Sequence, residues 1–95
     1  MEYRENTIMV LLRDKENMSD TTAIEILDNL TSKAVTEMYF NTAQLEFDFP
    51  KSQAKISYFT EDSKFPDVVL SFAELTGLLK RKYNLIKVSG KYRTN

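Results

Sequence analysis

The chain has no cysteine and no histidine, and only two glycines, Gly77 and Gly90, in 95 residues. Without cysteine there is no disulfide, no thiolate nucleophile and no Cys-based metal site. A small extracellular domain without disulfides is unusual, so the composition points to a reducing, cytoplasmic compartment. Without histidine the commonest general base, the commonest transition-metal ligand and the usual pH sensor are missing. Two isolated glycines build neither a phosphate-cradling loop nor a dinucleotide fingerprint. No apolar run approaches the roughly 18 residues that a membrane span needs. Near the start, Glu2, Arg4, Glu5, Arg13 and Asp14 surround a short apolar stretch, which is the wrong pattern for a signal peptide. The sequons Asn17-Met18-Ser19 and Asn29-Leu30-Thr31 are therefore read as chance.

What is present suffices for one folded domain. The apolar fraction is 42%, with six Phe and five Tyr, and 28% of residues are charged. A chain of this length buries one modest core and has no room for a second. The net charge of −1 conceals its distribution. Residues 1–79 hold seven basic and fourteen acidic side chains, a net −7, while residues 80–95 hold six basic and no acidic ones, a net +6. This asymmetry is the most informative feature of the chain.

Thr7 to Leu12 is a continuous apolar run bounded by charges. Its length suits a buried strand, although periodicity alone leaves a helix open. Residues 13–20 are polar and read as a loop. The pattern Thr22-Ala23-Ile24-Glu25 matches a capping box. Ala23, Ile24, Leu27, Leu30, Ala34, Val35 and Met38 then recur at helical spacing, so a helix is expected over about 20–38. Thr31-Ser32 offers the alternative of a break. Leu45-Glu46-Phe47-Asp48-Phe49 and Ala54-Lys55-Ile56-Ser57-Tyr58 alternate cleanly across a connection of hairpin length. Glu46, Asp48, Lys55 and Ser57 are expected outside, with Leu45, Phe47, Phe49, Ile56 and Tyr58 inside. Residues 60–64 form a turn, and 65–70 form either a short third strand or the start of a helix. Ser71-Phe72-Ala73-Glu74 is a second capping box, favouring a helix over about 72–83 after a short strand. Gly77 within it weakens the helix by up to about 1 kcal/mol and suggests close packing there. Leu85 to Val88 is a last strand, which Ser89-Gly90 turns into an arm, Lys91 to Thr94.

These elements run β-α-β-β-(β)-α-β, the order of a ferredoxin-like plait, an α+β fold with two helices on one face of an antiparallel sheet. The alternative is a winged helix-turn-helix, with the first run helical, two helices within 20–42, and the 45–59 hairpin or the 85–94 segment as wing. Residues 78–93, in which a helix runs into Asn84-Leu85-Ile86 and a basic strand, resemble the end of many winged-helix domains. The resemblance covers under a fifth of the chain.

Little in the chain suggests catalysis. Glu46 with Asp48, alternate residues on one strand face, would hold a hard cation such as Mg²⁺, yet a solvated outer face is the simpler account. Glu61 and Asp62 fall in a turn, where acids are routine. There is no Ser-x-x-Lys motif and no nucleophile elbow. No enzyme activity, cofactor or metal is expected.

The basic end is the candidate binding site. It comprises Lys80, Arg81, Lys82, Tyr83, Lys87, Lys91, Tyr92 and Arg93. Cations interleaved with aromatics suit a phosphate-tracking, base-stacking surface. A helix-dipole complement, or balance against the chain's own acidic body, would use the same residues without any partner. Tyr39-Phe40 and Tyr58-Phe59 each place adjacent aromatics on opposite faces, leaving one of each pair available to a partner.

The expectation is a non-enzymatic binding protein that works by protein–protein contact: an adaptor, inhibitor or small regulatory subunit. A nucleic-acid-binding module using 80–93 is the alternative. Self-association is a further expectation, and membrane contact is not. The small, acidic, Lys/Asn/Thr-rich composition fits a phage or mobile-element protein.

Overall fold

The computed structural model describes residues 3–95. The run expected as a first strand is instead a helix, α1, Arg4–Arg13. Ile8, Leu11 and Leu12 are buried along it, the i, i+3, i+4 spacing of a helical stripe. Glu5 in its first turn and Arg13 in its last both complement the helix dipole. The apolar run is only the centre of the element, and the charged flanks extend it to helical length.

The second helix, α2, Asp20–Ser32, ends at the Thr31-Ser32 pair, with Lys33 in the left-handed conformation at φ 56°. It is shorter than the expected 20–38. Its N-cap is Ser19, whose hydroxyl accepts from the Thr22 N–H, so the Thr22–Glu25 capping box does not form. Ala23, Ile26 and Leu27 face the core, while Ala34 and Val35 lie exposed beyond the helix.

Four antiparallel strands follow in sequence order: β1, Glu37–Tyr39; β2, Ala43–Asp48; β3, Gln53–Tyr58; β4, Val68–Ser71. The expected hairpin is the centre of this meander, in the register Leu45 to Ile56 and Glu46 to Lys55. Strand β4 runs straight into α3, Phe72–Tyr83. There the Ser71–Glu74 capping box is complete, with both reciprocal bonds present. Asn84, at φ 52°, ends the helix by donating its N–H to the Lys80 carbonyl. The chain finishes in a separate two-stranded ribbon, β5, Leu85–Val88, paired with β6, Lys91–Thr94. Its two-residue turn puts Ser89 at φ 52° and Gly90 at φ 81°, the double positive φ of a type I′ turn.

The fold is therefore α+β, with three helices, a four-stranded sheet and a two-stranded ribbon. The ferredoxin-like order is corrected. A plait threads its first and last strands into one sheet, whereas here the first segment is helical and the last strands pair only with each other. The winged helix-turn-helix is corrected too. A helix does lead into a hairpin at 72–94, but the whole β1–β4 meander separates α2 from α3.

Helices α1 and α3 lie on the inner face of the sheet, and α2 packs on α3 and β6. Ala43, Leu45, Phe47, Ala54, Ile56, Val68 and Leu70 meet Ile8, Leu11, Leu12, Leu75 and Leu79 in one core. Two buried asparagines, Asn17 and Asn29, fasten loops to it. Asn17 donates to the Val10 carbonyl and to the Thr42 hydroxyl, and accepts from the Thr42 N–H. Asn29 bonds both backbone groups of Val35, so the asparagine of each sequon is occupied by structural hydrogen bonds.

Candidate functional site

The last turn of α3 carries Lys80, Arg81 and Lys82, all exposed. Cations belong there electrostatically, because unsatisfied carbonyls make that end of a helix partially negative. The capping box at one end and Asn84 at the other fix the helix length, so these three side chains project at a defined place. Tyr83 is half-buried beneath them, with the Lys82 ammonium 5.5 Å from its ring centroid. Burial raises the pKa of the Tyr83 hydroxyl, and the negative charge of Asp20 adds to the rise.

The type I′ turn sets the ribbon's register and so determines which residues share a face. Leu85, Lys87, Tyr92 and Thr94 form one face; Leu85 is buried and Tyr92 packs against the core. The Lys87 ammonium lies 5.3 Å from the Tyr92 ring centroid, directly across the ladder. Ile86, Val88, Lys91 and Arg93 form the other face, which points outward. Val88 is 41% exposed there.

The eight candidate residues do not form one flat patch. Lys82 joins Tyr83, Lys87 joins Tyr92, and Lys91 joins Arg93 on the outer ribbon face. Arg81 turns away from these and lies back along its own helix. Its guanidinium is 3.7 Å from the position a Cβ on Gly77 would take. It borders the groove between α1 and α3, where Ile8, Leu70 and Leu78 meet Arg4 and Glu74. The close packing expected at Gly77 is thus no tighter than ordinary contact with this one side chain.

None of the six basic residues of 80–93 forms an ion pair among the described residues. The two ion pairs found there are Arg4 with Glu74 at 3.5 Å and Lys55 with Glu46 at 3.7 Å. The carboxylates that would hold a hard cation are differently engaged. Glu46 takes Lys55, and Asp48 accepts from the Lys51 N–H in the β2–β3 turn. Among the described residues no three Asp, Glu, His or Cys side chains gather into a metal-holding group.

A second surface is less visible in the sequence. Tyr39 and Phe59 are the exposed members of their aromatic pairs, at 63% and 50%. They stack on each other with ring centroids 6.4 Å apart. Val69, also 50% exposed, joins them on the outer side of the sheet. The adjacent aromatics mark one member of each pair as available, and strand pairing makes it Tyr39 and Phe59. Val69 is hidden in a continuous Val-Val-Leu run, where no alternation of polarity shows which residue faces out.

No helix among the described residues is long and apolar enough to cross a membrane. No protein family, curated protein or solved structure compared with the chain matches it.

Proposed function

We propose that this chain is a non-enzymatic binding protein of a reducing, cytoplasmic compartment, an adaptor, inhibitor or small regulatory subunit. It docks on the acidic surface of a protein partner through the last turn of α3 and the β5–β6 ribbon. One observation carries the reading: six basic side chains lie exposed within fourteen residues, and none of them is neutralised by a carboxylate of the fold among the described residues. Unpaired surface charge of one sign speeds and orients encounter more than it adds affinity. The apolar contribution comes from Ile86 and Val88 on the same ribbon face as Lys91 and Arg93. The cytoplasmic assignment is supported by the absence of cysteine.

Affinity capture from the native host, with and without nuclease, tests this reading. The expected result is a protein that survives nuclease treatment and is lost when Lys80, Lys82, Lys91 and Arg93 are replaced by Ala. Capture that is indifferent to these replacements sinks it.

The pairing of Lys82 with Tyr83 and of Lys87 with Tyr92 favours a second reading, a nucleic-acid-binding module, because cation and ring reach the same surface. The overall net charge of −1 weighs against it. Capture abolished by nuclease, together with oligonucleotide binding that weakens steeply with salt, transfers the conclusion to that reading.

A further inference from the structure

Helices cover only one face of the four-stranded sheet. Antiparallel sheets commonly leave the other face to water and line it with polar residues. Here that outer face carries the stacked Tyr39 and Phe59, with Val69 further across. It also holds a like-charge pair: Glu37 on β1 lies directly across from Glu46 on β2. Like charges in that position are destabilising. Lys55 answers Glu46 at 3.7 Å, whereas Glu37 has neutral partners, the Gln44 amide at 3.1 Å and the Tyr39 hydroxyl, whose pKa this contact raises. The face is therefore aromatic with an excess of negative charge.

The outer face of the ribbon has the complementary composition. Ile86 and Val88 supply apolar contact, and Lys91 and Arg93 supply positive charge. Of the five large hydrophobic residues exposed among the described residues, Tyr39, Phe59 and Val69 lie on the sheet face and Val88 on the ribbon. The ribbon is carried on α2 and α3 rather than on the sheet, so the helices stand between the two surfaces. Complementary surfaces placed in this way meet between molecules.

We propose that the outer face of the sheet receives the β5–β6 ribbon of a second copy of this chain, in a head-to-tail contact. This rests on the reading of the cationic end as a docking surface and names one of its partners. Each chain supplies both halves of the match, so the complementary surface is present at the concentration of the protein itself. The two surfaces differ, so the contact is heterologous and leaves one free end of each kind on every dimer. Strands of three, six, six and four residues, at about 3.3 Å per residue and about 4.8 Å apart, make a face of roughly 300 Å². That is well under half of the roughly 800 Å² that each partner gives to a standard stable interface. The association is accordingly weak and strongly salt-dependent.

Sedimentation velocity of the full chain over a concentration series decides the matter. At low salt the weight-average sedimentation coefficient rises with concentration. At about 0.5 M NaCl, where screening acts within a few ångströms, the rise disappears. Two variants at exposed positions identify the surfaces: Glu37→Gln with Tyr39→Ser on the sheet, and Lys91→Gln with Arg93→Gln on the ribbon. Each alone is monomeric. Mixed, they form a one-to-one dimer that grows no further, because each retains only one working end. Circular dichroism checks that both are folded, and the single substitutions Tyr39→Ser and Arg93→Gln replace either one that is not.

A wild-type chain that stays monomeric at every concentration overturns the proposal. So does a dimer that persists in either variant alone, or a mixture that fails to dimerise. Monomeric behaviour alongside Lys91- and Arg93-dependent capture of a host protein overturns this contact only and leaves the docking reading in place. Salt-sensitive self-association without any host capture removes the docking on a host partner and keeps this contact.

Discussion

Asn29 grips the backbone of Val35 from both sides. Its side-chain Nδ2 donates to the Val35 carbonyl and its Oδ1 accepts from the Val35 N–H, each at 3.0 Å. The side chain thus stands in for a neighbouring strand and turns the chain from α2 towards β1. Replacing Asn29 by Ala removes both bonds at a site only 3% exposed, for a loss of about 2 kcal/mol in urea unfolding. Asn29→Asp is a sharper test, because it keeps the acceptor and loses the donor. That variant is destabilised at neutral pH and partly recovers in acid, where the protonated carboxyl donates again.

Glu74 makes the start of α3 sensitive to acid. Its carboxyl pKa lies below the ordinary 4.5, chiefly because the Ser71 N–H donates to it, with the Ser71 hydroxyl and Arg4 assisting. A depressed folded-state value means that this stabilisation is complete above the unfolded value. It is lost as pH falls through 4.5 and on through the lower, folded value. Glu74→Gln is expected to flatten that part of the pH–stability curve. An unchanged acid slope in the variant would show that other carboxylates carry it.

Gly77 is a stabilisation target. A Cβ there meets nothing closer than the Arg81 guanidinium at 3.7 Å, an ordinary contact with the far end of a flexible side chain. Gly77→Ala is therefore expected to gain helix propensity at no packing cost, raising stability by about 0.5–1 kcal/mol. Thermal unfolding reads the gain as a higher Tm, and a lower one would reveal a tighter contact than this geometry holds.

The ribbon turn responds in the opposite direction. Gly90 has open space around its Cα but sits at φ +81°, so Gly90→Ala costs about 1 kcal/mol through the backbone alone. Ser89, at φ 52°, is a non-glycine residue in the left-handed region, and Ser89→Asn is expected to relieve it. Amide hydrogen exchange at Lys91 and Arg93 should quicken in the first variant and slow in the second. Binding through the ribbon should weaken only in the first.

The chain itself determined those elements whose signals are local. Alternation marked β2 and β3 with their inward and outward residues, and the Ser71–Glu74 box placed α3. Ser89-Gly90 marked the turn between β5 and β6. The concentration of positive charge after residue 79 was equally plain. Tertiary structure decided the rest. The run from Thr7 to Leu12 is apolar at every period, so only packing against β3 and β4 could make it helical. Ser19 and Thr22 compete for the same capping role, and the geometry of the preceding loop awards it to Ser19. The parting of Arg81 from the other basic residues, and of the last two strands from the sheet, depends on what lies alongside them in space. Local chemistry sets which residues can begin, turn or end an element. Which elements meet, and which face is left bare, follows from the burial of one shared core.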